Sequence, residues 1–344
     1  MKRPEKFTIG ILLALLILCA GSSLGSTSIG FLDTLSIIFH KITNLPLRAN
    51  SIDSINSIDP KNVTIVWNLR LPRAILAFLT GCALSVSGTV FQSTLKNPLA
   101  SPYIIGVSSG ASLGAALVIL TGLRLPFAGG FTLPFAGFLF GLATVFFVLF
   151  FTAKIDKNFS NNTIILFGMV FSLFVNAFLT ILVVLFREQL RNLLYWQMGS
   201  FSLKGWDYVV LLLPFIVLGG LGVARHTKEM DILTFGEEQA KSLGVDAEKL
   251  RIKLLFSTAI LTGAAVALTG AIGFVDLIAP HLARKIVGAR HKYVLPMAAI
   301  LGGSLLVLTD LIARTILSPA ELPVGAVTAI LGAPFFAWVY FRKQ

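Results

Sequence analysis

From Phe7 to Val339, apolar runs of about 18 residues or more recur along the chain. As a helix, each run is long enough to cross a hydrocarbon layer roughly 30 Å thick. Lipid offers no hydrogen-bond partners to free backbone groups, so crossing as helices is forced. Composition agrees: 56% of residues are hydrophobic and 13% charged, too few polar side chains to cover a soluble globule of 344 residues. The fold class is all-α, a polytopic integral membrane protein.

Runs near 7–29, 68–94, 104–122, 127–153, 162–186, 207–224, 253–270, 274–288, 293–316 and 324–341 give about ten transmembrane helices. The third starts among prolines and glycines, and the eighth is short and polar. A net charge of +12 raises the question of nucleic acid, but orientation accounts for it. With the N-terminus inside, most lysines and arginines, from Lys2 and Arg3 to Arg342 and Lys343, fall on one side, as they do on cytoplasmic faces. Both termini are then cytoplasmic, and no nucleic-acid partner is needed. The "MKRPEK" start invites a signal-peptide reading, and "LILCAG" a lipoprotein signal. Leu18 stands where a small residue is required, and the apolar run continues to Ile29 without a cleavage site, so the first run is an uncleaved span.

Two hydrophilic segments remain. Residues 30–67 fall outside and contain the amphipathic "IGFLDTLSIIFHKI" and a polar linker, "RANSIDSINSIDPKN". Residues 225–252 fall inside, with "TFGEEQAKSLGVDAEKLR"; Glu237 and Glu238 occupy a first helical turn and Gly244 ends the helix as a left-handed cap. Cys19 and Cys82 both lie in apolar runs, and His40, His226, His281 and His291 are scattered, so neither a disulfide framework nor a metal cage is expected. There is no H-E-x-x-H and no phosphate-binding loop. No cofactor is expected on the chain, and any use of ATP needs a separate subunit.

"LTGCALSVSG" at 79–88 returns as "LTGAAVALTG" at 261–270. At the same offset Gly81 meets Gly263, Gly88 meets Gly270, Pro98 meets Pro280 and Gly106 meets Gly288. The first copy opens a span running inward and the second a span running outward, the mark of an inverted repeat with units near 68–187 and 253–341 in one permease domain, 1–344. Such repeats place a substrate path between the copies, with interrupted helices, and the paired prolines and glycines predict a break in each copy. Gly106, Gly110 and Gly114 line one helix face and allow close packing. They also spell G-x-S-x-G, but a nucleophile elbow needs a strand–turn–helix setting. An ion-coupled secondary transporter suits an inverted repeat equally well and would need a buried carboxylate, for which Asp276 is the strongest candidate.

"RLPRAILAFLTGCALSVSGTVFQSTLKNPLASPYIIGVSSGA", "GEEQAKSLGVDAEKLR", "GAIGFVDLIAPHLARKIVG" and "LIARTILSPAELPVGAVTAILGAPFFAWV", in that order over about 60–340, resemble the FecCD-type permeases. These are membrane subunits of ABC importers for iron–siderophore complexes, haem and cobalamin. The resemblance implies a type II ABC importer permease fold in a prokaryotic plasma (inner) membrane. It also implies a second permease copy or paralogue, two cytoplasmic ATPase subunits carrying ATP, and an extracytoplasmic substrate-binding protein. It assigns Arg70, Arg73 and Arg314 to docking that protein; interfacial arginines reaching for headgroups would look the same. It puts the inner gate at Asn97 and Leu99 and at Ser160, Asn161, Asn162 and Thr163. It puts ATPase coupling on 236–248, with Gly236, Glu237, Glu238, Ala240, Leu243 and Gly244, although a solvated helix carries such charges too. Gly81, Gly88, Pro98, Gly106, Gly263, Gly270, Pro280, His281 and Arg284 are structural positions. His281 and Arg284 share a helix face at helical spacing. Asp276 stands where the family generally has glycine, and either lines the path or pairs locally with Arg284 or another base.

Overall fold

The computed structural model describes residues 3–25, 27, 29–43, 59–156 and 159–341. Residues 44–58 of the expected external linker, together with Lys2, Lys157, Arg342 and Lys343, lie outside the described residues. The described chain is helical throughout: α1 Arg3–Ser23, α2 Phe31–Thr43, α3 Pro60–Thr94, α4 Val107–Thr121, α5 Thr132–Ile155, α6 Asn161–Leu185 and α7 Leu190–Gln197. There follow α8 Trp206–Ala224, α9 Thr227–Leu233, α10 Glu237–Ser242, α11 Ala247–Thr269, α12 Val275–Val287, α13 His291–Thr315 and α14 Val324–Phe341. By length and composition, α1, α3, α5, α6, α8, α11 and α13 can each cross a membrane, while α4 and α14 are shorter apolar helices. The short polar run at 274–288 became α12, and the break expected before α4 sits at Gly106, whose φ of 84° a side chain would resist.

Burial sorts the helices. In their most apolar windows α3 and α11 are 72% buried, whereas α6 is 17% and α8 22% buried, so the first pair forms the centre and the second faces outward. α13 packs along α3 in antiparallel sense: Arg73 meets Asp310, Gly81 meets Gly302, and Ser93 meets His291. A Cβ at Gly81 would run into the Gly302 backbone and one at Gly88 into the Asp276 backbone, so both glycines are set by contact with α13 and α12. α3 and α11, which carry the two copies of the repeated phrase, are also antiparallel neighbours: Ser87 donates to the Thr258 carbonyl, and Lys204, beside Arg73, donates to the Leu268 carbonyl. Gly110 and Gly114 bring α4 onto Phe140 and Ala136 of α5, the close contact that their spacing predicts.

Two expectations about the repeat change. Pro98 lies in the turn after α3, but its counterpart Pro280 lies inside α12. The second copy breaks twice: at Gly270, whose φ of 80° ends α11 against the backbone of Trp196 and Gly199, and at Gly288, the counterpart of Gly106, whose φ of 88° ends α12. Gly263, unlike Gly81, faces side chains at ordinary contact distance, with the Phe138 ring 3.5 Å and Val107 3.9 Å from an added Cβ. The letters repeat, but the neighbours differ.

Both ends of the described chain lie at one pole. Arg3 stacks over the Tyr293 ring at 4.6 Å, Lys6 donates to the Ile286 carbonyl at 2.5 Å, and Lys285 lies 5.9 Å from the centre of the Trp338 ring. This is also the pole of α9 and α10, because Asp231 of α9 is bonded to His291 at the start of α13. Arg70, Arg73 and Arg314 mark the opposite pole.

Candidate functional site

At the arginine pole a cavity of about 630 Å³ is lined by Arg70, Arg73, Lys204, Arg314 and Glu321. The π-helical turn Ile65–Arg70 stands immediately before Pro72, which has no N–H to continue the regular ladder. Arg73 is clamped by two carboxylates. Its Nε donates to both Asp310 oxygens at 3.1 and 3.0 Å, its Nη2 to Asp310 Oδ1 at 2.8 Å, and its Nη1 to Glu321 Oε1 at 2.8 Å. Arg70, 6% exposed, donates to the carbonyls of Ser23 and Thr27, and Arg314 to that of Gly21, with its Nε 3.8 Å from Asp310.

The three arginines expected to face a docking partner are thus brought together, but each already has partners in the chain. The reason is energetic: a guanidinium taken out of water must be paired. Around them are four basic groups against Asp310 and Glu321, which leaves the pole positive. Lys204 donates to the Ser200 carbonyl at 2.6 Å, and burial, with Arg73 nearby, lowers its pKa to about 7. Burial works to raise the Glu321 carboxyl, but the Arg73 hydrogen bonds and charge outweigh it and hold it below the usual range.

Midway, Asp276 is 1% exposed, enclosed between α12 and α3. It accepts a hydrogen bond from the Ser101 hydroxyl through Oδ2, while Oδ1 has no partner among the described residues. It does not pair with Arg284. Gln92 stands between them: its amide donates to the Asp276 backbone carbonyl at 3.3 Å, and its oxygen accepts from Arg284. Nor do His281 and Arg284 act together. His281 meets the Phe335 ring of α14 edge-on at 6.4 Å, while Arg284 reaches α3.

At the other pole the two gate segments are adjacent turns over a shared cluster that includes Leu95, Ala100, Phe159 and Leu255. Asn97 Oδ1 accepts from the Leu99 backbone N–H at 2.9 Å, and the Leu99 side chain stays 49% exposed. Asp156, which the sequence reading missed, organises the second turn: its Oδ2 accepts from the Ser160 hydroxyl at 2.6 Å and the Thr163 hydroxyl at 2.7 Å. Ser160 caps α6, Asn161 is partly buried and Asn162 is exposed.

In the coupling segment, Gly236 opens α10 at a φ of 126° and Gly244 follows it at 80°, the left-handed ending expected from sequence. Ala240 is fully buried and anchors the helix; Glu238 and Leu243 face outward. Phe235 is 74% and Leu243 65% exposed. Glu237 is bound to Arg251, a wholly buried base just inside α11. Among the described residues no group of His, Cys, Asp and Glu is arranged to hold a metal.

Comparison with known proteins places the chain in a family. The sequence profile of the FecCD transport family matches residues 11–342. The chain is 45% identical over 291 residues to an uncharacterised ABC transporter permease of Bacillus subtilis, covering 85% of this chain and 82% of that one. It is 35% identical to a hemin transport system permease of Yersinia pestis, covering 98% and 96%. Among solved structures it is similar to a metal-chelate type ABC transporter in an inward-facing conformation, with a TM-score of 0.84 and 30% identity over 98% of this chain and 99% of the other.

Proposed function

The chain belongs to the FecCD transport family, and from that premise we propose that it carries a metal chelate, haem being the first to test, into the cytoplasm. It is the membrane permease subunit of an ABC importer. In our reading the α10 pole is cytoplasmic, the arginine pole faces outward, and ATP is hydrolysed on partner subunits docked at α10. A second permease copy or a paralogue completes the pathway, and the two repeat units, near 68–187 and 253–341, form its walls.

One observation carries this reading. α10 is held to the bundle by Ala240, yet Phe235 and Leu243 on either side of it face solvent, on a segment between spans where exposed apolar side chains have no lipid to meet. Such residues mark a protein interface. The opposite pole carries excess positive charge in a shallow cavity, suited to steering an acidic binding protein to its dock. At the α10 pole, Asn97 and Leu99 with Ser160–Thr163 close the path. Asp276 acts on that path through Ser101, which lies in the turn that carries Asn97 and Leu99.

The test is reconstitution of the permease with its ATPase and binding protein in proteoliposomes, with haemin as the probe. ATP-dependent uptake that requires all partners is expected. Uptake that persists without the ATPase would instead identify an ion-coupled carrier.

A further inference from the structure

Arg251 and His291 are buried basic side chains, at 1% and 2% exposure. Each joins a carboxylate on the α9–α10 segment to one of the two gate turns. Arg251 Nη2 donates to Glu237 of α10 at 2.5 Å, while its Nη1 donates to the carbonyl of Phe159, next to the cap of α6. His291 Nδ1 lies 2.6 Å from Asp231 Oδ1 of α9, and its Nε2 lies 2.5 Å from the Ser93 hydroxyl, at the end of α3 before the turn that bears Asn97 and Leu99.

We infer that Arg251 and His291 are the positioning residues that carry movement of the ATPase-facing segment to the gate, Arg251 to the 159–163 turn and His291 to the 95–100 turn. The inference rests on the reading of α10 as the ATPase contact.

The geometry supports it in three ways. Both links are the charged or hydrogen-bonded kind that holds a fixed direction, so a displacement of Glu237 or Asp231 is passed on rather than absorbed. Both bases are buried while their carboxylate partners are not: Glu237 is 50% and Asp231 36% exposed. The outer partner therefore lies within reach of a docked subunit, and the inner contact is shielded from water. Breaking a link leaves a buried base short of a partner, which opposes partial movement and favours the two turns following the segment as units. Phe159 already sits at a φ of 48°, a backbone that L residues adopt only when their surroundings hold them there, and the Arg251 bond to its carbonyl is part of that hold.

The two links predict a double dissociation that a merely structural role would not give. In a chain with Cys19→Ala and Cys82→Ala, a single cysteine is placed at Leu99 or at Asn162, and the permease is purified with its ATPase subunit. Maleimide labelling rates are measured with and without ATP and vanadate; no transported ligand is needed. In the parent chain ATP is expected to change the rate at both positions. Glu237→Gln and Arg251→Gln are expected to cut the ATP response at Asn162 by at least about fivefold and spare that at Leu99. Asp231→Asn and His291→Gln are expected to do the reverse. Glu237 and Asp231 are partly exposed, so their variants decide the matter even where loss of a buried base prevents folding. A double variant, Glu237→Gln with Arg251→Gln, is expected to lose no more than either single change.

Responses that survive in all variants, or that vanish at both turns with any one of them, overturn the inference and leave the permease reading standing. Failure of the ATPase to co-purify with the parent, or a parent gate blind to ATP, removes the functional reading and this inference with it.

Discussion

Arg73 sits in a fork of two carboxylates, but the two do not count equally. Asp310 is 3% exposed and Glu321 35%. Removing Arg73 leaves the buried Asp310 with only Arg314, 3.8 Å away, so Arg73→Ala is expected to cost up to about 3 kcal/mol. Glu321→Ala removes an ion pair that water already screens, at about 1 kcal/mol or less. Thermal unfolding of the two variants in detergent should separate them clearly. Lys204, beside the fork, gives a pH signature. Its pKa is lowered from the ordinary 10.5 to about 7, first by burial and then by Arg73. A base that is harder to protonate when folded makes the fold more stable as pH rises from its folded pKa towards its unfolded one. Wild type is therefore expected to gain stability on Lys204→Met between about pH 7 and pH 9; a flat difference across that window would rule out the lowered pKa. Of this pole the sequence showed the arginines but not their partners. Asp310 and Glu321 stand 237 and 248 positions from Arg73, and no spacing pattern spans such a distance. Arg251 was hidden for a related reason: it borders a polar segment and looks solvated until Phe159, 92 residues away, covers it.

Among the elements, α3 and α13 are joined where Gly81 meets Gly302 backbone to backbone. A valine at Gly81 has to separate them, and overpacking of that kind typically costs about 1–3 kcal/mol, more where backbone rather than side chain blocks the way. Gly263→Ala, its counterpart in the repeat, is expected to fold normally, because its added methyl meets the Phe138 ring at 3.5 Å and Val107 at 3.9 Å, both ordinary contacts. Size-exclusion profiles of the two variants check this; aggregation of both would mean that the repeat sets contacts as well as letters. Most crossing helices could be read directly, since apolar length alone announces a span. So could the left-handed glycine at 244 and the helix break at Gly106, because helix boundaries at glycine have a backbone cause. The break at Gly270 was misplaced to Pro280, since a proline is tolerated inside a helix when neighbouring helices take up the freed groups. The separate helices α7 and α9 were not distinguished; at eight and seven residues they are too short for periodicity to reveal.

For the whole molecule, the decisive quantity is which pole faces which compartment. Leu203 at the arginine pole is 96% exposed and Leu243 at the other 65%. With the native cysteines removed, a cysteine at Leu203 is expected to react with a membrane-impermeant maleimide from outside intact cells, and one at Leu243 only after lysis. The opposite pattern would invert the proposed orientation and place the ATPase contact on the wrong side. The glycine contact between α3 and α13 also matters mechanically. Helices that touch through their backbones have no side-chain slack to slide on, so this pair behaves as a chassis. Swinging motion is left to the seam between α5 and α6, where ring rests on ring, as Phe147 does on Phe171. A cargo passing through would then be let by on one flank while the other stays still, a door on a fixed post rather than a pair of opening jaws.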